Sequence, residues 1–402
     1  MEQTLRFPEG FLWGASTSSH QVEGGQNNDW SAWERLGKVA GGQTSGLACD
    51  HWNLFRSDFE LAKRLGHTVH RFSIEWSRVE PAEGQWDEAA IGHYQTVARE
   101  LHQRGIEPFV TLWHFTSPPW LMERGGWESP ETVKLFARFA RKMAVAMPDA
   151  RYWMTINEAN VYAILSYLIG VWPPEVTSSR RAWRVYRNLI AGHRAAALAV
   201  KHNRPDALVG SAHNVIAFEP KRPESSLDRL ASRLAATWYN DHWFKQVAST
   251  SDFIGLNHYT RQWVKFESLR RPIVPEFGGP HQTDFGWDMY PTGIYRALKS
   301  AGRFGRPIYI TENGLADHRD QWRQQFIRDY LLEVHRAVTD GVDVRGYLHW
   351  SLLDNFEWRE GYSKRFGLIE VDFSTQQRTV RPSAEYYAAI CRSNSLTVDD
   401  HA

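Results

Sequence analysis

Short runs of strand-forming residues alternate with longer amphipathic stretches along almost the whole chain. Eight runs read as strands: Phe11–Ala15, Thr68–Ile74, Pro108–Trp113, Tyr152–Asn157, Leu208–Val215, Asp252–Leu256, Ile308–Thr311 and Gly346–Leu352. Helical patterns separate them, at Asp50–Leu65, Asp87–Arg104, Pro130–Met147, Ala182–Asn203, Ser226–Val247, and about 291–301, 318–340 and 382–393. Gly66 and Gly105 stand where helices end, and Pro130 where one begins. This rhythm, with no linker or repeat, predicts a single (β/α)8 TIM barrel over residues 1–402, with a polar tail frayed from about Asn394. A doubly wound open sheet is the alternative, but no Gly-rich nucleotide turn follows an early strand.

Composition narrows the function. A net charge of +1 in 402 residues implies no nucleic-acid partner. Cys49 and Cys391 are the only cysteines, too few for a disulfide framework or a zinc site. Met1–Pro8 lacks an apolar signal region, and no run approaches the roughly 18–20 apolar residues of a membrane helix. A cytoplasmic protein with no membrane partner is expected. The 19 Trp residues suit either a large core or a surface that stacks on sugar rings.

Two of the strands deliver a carboxylate to their own C-terminal end, Glu158 after Asn157 and Glu312 before Asn313-Gly314. A barrel gathers such ends on one rim, and paired carboxylates flanking a bond are the equipment of glycoside hydrolysis. The other strand ends bring Gln21, Arg71, His114, Tyr259 and Trp350 to the same rim. Arg71 is a candidate partner for Glu312. Glu158 is the candidate acid, kept protonated by burial and by the charge of Glu312. No His, Cys and carboxylate spacing suggests a metal, so metal-free and cofactor-free chemistry is expected. Taken singly, each residue also fits an ordinary role: Arg71 a structural ion pair, His114 a core histidine, Trp350 and Trp358 packing.

The motifs at these positions resemble glycoside hydrolase family 1, the retaining β-glucosidase and β-galactosidase family. Phe11–Gly24 is similar to its N-terminal signature, Thr155-Ile156-Asn157-Glu158 to its acid/base motif, Ile310–Gly314 to its nucleophile motif and Trp350–Trp358 to its sugar-binding motif. The resemblance runs from about Phe7 to Ile390. It implies that Glu312 attacks the anomeric carbon and that Glu158 protonates the leaving oxygen, then activates water. It further implies that Asn157 binds the 2-hydroxyl and that Arg71 and Tyr259 hold the nucleophile. Gln21, His114, Glu357 and Trp358 would bind other hydroxyls, with Trp350 under the sugar face and Phe366 near the 6-position. Glu357 would repel a phosphate, so the resemblance implies plain β-glycosides or short oligosaccharides, gluco first and galacto or fuco second. Transfer of the sugar to an acceptor other than water, or sugar binding without catalysis, are the competing expectations. Oligomeric state is left open.

The chain departs from the family pattern in three places. Ala159 stands where Pro is usual, and His258 where Tyr is more frequent. A normally long segment is cut to Lys245–Ser251, and the Trp172-Pro173-Pro174 loop is also short. Shorter rim loops would open the aglycone entrance; trimming of a distal face is the other reading.

Overall fold

The computed structural model describes residues 2–269, 271 and 273–399. Eight parallel strands close into a barrel: β1 Leu12–Ser16, β2 Val69–Ser73, β3 Glu107–Trp113, β4 Tyr152–Asn157, β5 Leu208–Asn214, β6 Ile254–Asn257, β7 Ile308–Asn313 and β8 Val344–Trp350. Closure comes from β8 pairing with β1, with Gly346 opposite Leu12 and Trp350 opposite Ser16. Each strand precedes a helix of the outer layer: α1 His51–Arg64, α2 Glu88–Gln103, α3 Glu131–Ala146, α4 Ser179–Asn203, α5 Ser226–Ala236, α6 Thr292–Gly302, α7 Arg323–Thr339 and α8 Pro382–Ser393. The predicted strands and helices are all present, with shifted ends. α5 does not run regularly to Val247 as expected. It passes through a π-helical turn, Thr237–Asp241, before resuming at His242–Val247.

The barrel interior is plugged low down. Val69, Phe109, Tyr152, Met154, Phe253, Tyr309 and Leu348 pack there, with Phe109 stacked on Tyr152 at 4.2 Å between ring centroids. Inward positions two residues further along β2 are polar, starting with Arg71. Apolar layers below and polar layers above follow from the period of two in each strand. The larger core lies between the strands and the helix ring. No described helix is long and apolar enough to cross a membrane.

Three short strands outside the barrel, Ala217–Pro220, Arg261–Lys265 and Val274–Glu276, form a small sheet that the periodicity does not announce. It grows from the segments leaving β5 and β6, and α5 packs on it through Ala231 and Ala235.

Two expectations need correction. The segment Lys245–Ser251 does not border the rim. It leads into the N-terminal end of β6, and its backbone is held there by Arg306, just before β7, whose Nε donates to the Ala248 carbonyl at 3.1 Å. The shortening therefore lies on the face opposite the strand C-termini, which favours the distal-trimming reading. Nor is the tail frayed over its described part. Ser395–Asp399 pairs antiparallel with Glu2–Arg6, Leu396 is fully buried, and Asn394 takes the indole N–H of Trp13 at 2.8 Å. Polar composition alone missed this because the partner strand lies at the other end of the chain. Residues 400–402 lie outside the described residues.

Leu396→Ala is expected to cost about 2–5 kcal/mol, read as a lower thermal midpoint with activity at 25 °C retained. An unchanged midpoint would mean that the terminal strand does not contribute to the fold.

Candidate active site

The polar side chains converge at the C-terminal rim because the two carboxylate strands lose their regular pairing at their ends. The register of β4 against β5 shifts between Met154 and Asn157, and that of β7 against β6 between Ile310 and Glu312. Such irregularities re-aim side chains that strict alternation would turn away. Glu158 follows at once, in a left-handed conformation (φ 44°) at the start of a short rim helix, Ala159–Tyr162. At Gly314 a Cβ would meet the carbonyl oxygen of Trp350 at 1.9 Å, so only glycine lets the end of β7 lie against that of β8.

Glu312 is buried and both its oxygens accept hydrogen bonds. Arg71 donates through Nη1 to one, and the Tyr259 hydroxyl to the other at 2.6 Å. Two donors on two oxygens describe a carboxylate rather than an acid. Arg71 is itself fully buried and fixed, donating to Thr111 Oγ1 at 2.9 Å and Asn157 Oδ1 at 2.7 Å. Burial and the nearby carboxylates push the Tyr259 hydroxyl well above its ordinary range, so it stays a donor.

Glu158 is also buried, but its surroundings differ. One oxygen accepts from Asn257 Nδ2 at 2.9 Å and from Asn214 Nδ2 at 3.0 Å. No donor among the described residues reaches the other oxygen, which leaves it room for a proton. Burial, then the charge of Glu312, pushes Glu158 up to about 8, against the lowering effect of the two amides. Two carboxyls in one pocket are thus held in opposite states by environment, the condition for acid and nucleophile roles.

Asn157 lies between them. Its Oδ1 accepts from Arg71 and from Asn257 at 3.2 Å, which turns its Nδ2 toward His114 Nε2 at 3.1 Å. That nitrogen must then accept, so His114 is neutral. Burial, with the Arg71 charge beside it, holds its pKa well below the ordinary histidine value.

The remaining predicted residues form a wall. Gln21 Nε2 donates to Glu357 at 3.1 Å and to Asn355 at 3.0 Å, and Ser18 orients the Gln21 carbonyl at 2.6 Å. Half-buried Glu357 is pushed up to about 8 by burial and by the charge of Glu312. Trp358 is walled in by Trp30, His20, Phe115 and Trp172. His114 lies nearly parallel to the Trp350 and Trp358 rings, both at 6.0 Å. Trp350 and buried Phe366 belong to a separate cluster with Ala316 and Tyr259. All eleven predicted site residues sit in or directly behind this one region.

Sequence reasoning passed over several others. Asn257 ends β6 and binds both Asn157 and Glu158, with its own Oδ1 accepting from Thr311 at 2.6 Å. Asn214 ends β5, and the Tyr239 hydroxyl donates to it at 3.2 Å from the π-helical turn. Their position at strand ends was the signal available. Trp287 and Phe285, stacked at 4.1 Å, flank Tyr259 and Phe366 from a long loop with no periodicity to mark it.

Comparison with known proteins agrees with this fold. The sequence model of Glycosyl hydrolase family 1 matches residues 3–249 and 241–396, the two stretches meeting where the chain is shortened. Beta-glucosidase A of Thermotoga maritima is 34% identical over 443 residues, covering 97% of this chain and 99% of that one. Among solved structures, a beta-glycosidase from Pyrococcus horikoshii superposes with a TM-score of 0.93 at 40% identity, covering 98% of this chain and 96% of that one. A Thermotoga maritima beta-glucosidase in complex with glucoimidazole gives a TM-score of 0.91 at 33% identity, covering 97% and 100%. With a barrel closed around two carboxyls in opposite states and a family match over nearly its whole length, the chain belongs to glycosyl hydrolase family 1 and is an O-glycosyl hydrolase.

Proposed function

We infer that this enzyme is a retaining β-glycosidase that removes terminal β-D-glucosyl residues from unphosphorylated glycosides and short oligosaccharides. The observation that carries this reading is the contrast between Glu312, with a donor on each oxygen, and Glu158, pushed up to about 8 with one oxygen free. Glu312 attacks the anomeric carbon while Glu158 gives its proton to the leaving oxygen, and a glycosyl-enzyme forms. Glu158, now ionised, takes a proton from water, which releases the sugar and restores Glu312. Arg71 and Tyr259 hold the nucleophile in place. Asn157 and His114 meet the hydroxyls nearest the reacting carbon, and Gln21 with Glu357 the far side of the ring. The Glu357 carboxyl in that wall supports a neutral glycone, since it brings no positive charge to pair with a phosphate there. Galactosides and fucosides are second choices. Because the shortened segment lies on the opposite face, it lends no support to transfer in place of hydrolysis. A reducing, cytoplasmic setting is supported by two free, buried cysteines, Cys49 and Cys391.

Proton NMR of a fresh β-glucoside digest is expected to show β-glucose before mutarotation. α-Glucose first would mean inversion, and the role of Glu312 would fall. Glu312→Gln is expected to lower kcat by on the order of 10⁴-fold or more. Glu158→Gln, on a substrate with a good leaving group, should lower kcat by roughly 10²–10⁴-fold and kcat/KM by less, because only the second step then needs the base.

The acid must be protonated in the free enzyme, so kcat/KM should fall as pH rises through about 8. Asn214 donates to the ionised form of Glu158 and lowers its pKa. Asn214→Leu should therefore move the alkaline limb to higher pH, and Tyr239→Phe should do so by less. A purely structural role for these residues would lower the rate and leave the limb in place.

A further inference from the structure

α5 has two apolar sides, one packed inward and one turned outward. Ala231 and Ala235 pack inward on Val264, and buried Asp228 is clamped by Arg222 at 2.8 Å. On the outer side Leu227, Leu230 and Leu234 lie within roughly 60° of one another and are 51%, 53% and 50% exposed. Trp238 extends this stripe at 53% exposed. Such a row on one helix is a contiguous apolar surface, unlike scattered exposed leucines. Arg229 and Arg233 form its edge, and neither has a carboxylate partner among the described residues. At the Trp238 end the surface joins α4, whose Tyr186 stacks on Trp238 at 6.4 Å between centroids. The first turns of α4 add Arg180 and Arg187, also exposed and without a carboxylate partner among the described residues. In a chain of net charge +1, this is a concentrated basic and apolar face.

We propose that this face of α5 and the start of α4 seats the enzyme on an anionic lipid surface, the leucines and Trp238 entering the interface and the arginines meeting phosphate headgroups. A helix side with leucine and tryptophan on one strip and arginine on the next is the pattern of interfacial binding, and it needs no spanning segment. The stripe is a convex ridge, which suits a fluid layer better than a fitted protein groove. A second copy is disfavoured by charge: an antiparallel two-fold pairing of the ridges sets the two arginine edges side by side. The seat adjoins the acid side of the site, since Trp238 directly precedes Tyr239, which reaches Glu158 through Asn214.

The full chain is mixed with vesicles of phosphatidylcholine alone or with added phosphatidylglycerol and separated by flotation. Binding is expected only to the phosphatidylglycerol vesicles, falling with added salt. The pairs Leu230→Gln with Leu234→Gln, and Arg229→Gln with Arg233→Gln, should each weaken it about tenfold or more. Their kcat/KM on a soluble nitrophenyl glucoside should stay unchanged, which shows that they fold. No binding to either vesicle would overturn the proposal. So would a concentration-dependent dimer that the leucine pair dissociates, which would assign the face to a second copy. Loss of hydrolysis in the parent protein would instead count against the proposed reaction, which the vesicle measurement does not touch.

Discussion

One guanidinium sets the charge pattern of the rim. Glu158, Glu312 and Glu357 lie around one water-poor pocket, and Arg71 is the cation in contact with Glu312. Three negative charges crowded against one positive would be costly there, so the pocket settles into one compensated carboxylate and two carboxyls that resist ionisation. Arg71 chooses which one is compensated, because its fork is pinned from below by Thr111 and from the side by Asn157. A lysine could supply the charge but not this directed set of contacts. The proposed division of labour between acid and nucleophile thus rests on where one planar group is held.

That holding depends on the fold in turn. Arg71 sits two residues beyond Val69, part of the apolar plug, on the same face of β2. The plug fills the lower barrel with rings and excludes water from beneath the pocket. The polar layer above it is fixed by neighbouring strands, each supplying a short side chain: Thr111 from β3, Asn157 from β4, Asn214 from β5, Asn257 from β6 and Thr311 from β7. These amides and hydroxyls link the carboxyls into one network, in which moving any member disturbs the protonation of another.

Much of this was legible in the sequence because it is written in short range. Strand period, helix caps and a carboxylate at a strand end are local, and they placed Glu158, Glu312, Arg71 and Tyr259 on one rim. What could not be read is what depends on distant segments or on broken regularity. The π-helical turn that presents Tyr239 has the same composition as ordinary helix. Trp287 lies on an aperiodic loop. The terminal strand Ser395–Asp399 is defined by a partner almost the full chain away, so its polar composition misled. The shortened Lys245–Ser251 segment was visible, but which end of the barrel it served was not. The leucine ridge on α5 also went unmarked, because its helix looks amphipathic in the ordinary way until the small outer sheet takes its alanine side.

The pairing of the chain's two ends has a consequence for synthesis. β1 is bordered by β8, and Glu2–Arg6 by Ser395–Asp399, so these strands wait for partners made several hundred residues later. At ordinary translation speeds that wait is roughly 20–80 s, during which β1 stands as an open edge. The rim is split in the same way, with Gln21 made early and Glu357 late. A fragment ending before Glu357 lacks that wall of the pocket, and one ending before β8 carries an unpaired strand able to seek neighbours. Protection of that open edge until β8 emerges therefore bears on the yield of folded barrel alongside the contacts of the finished structure.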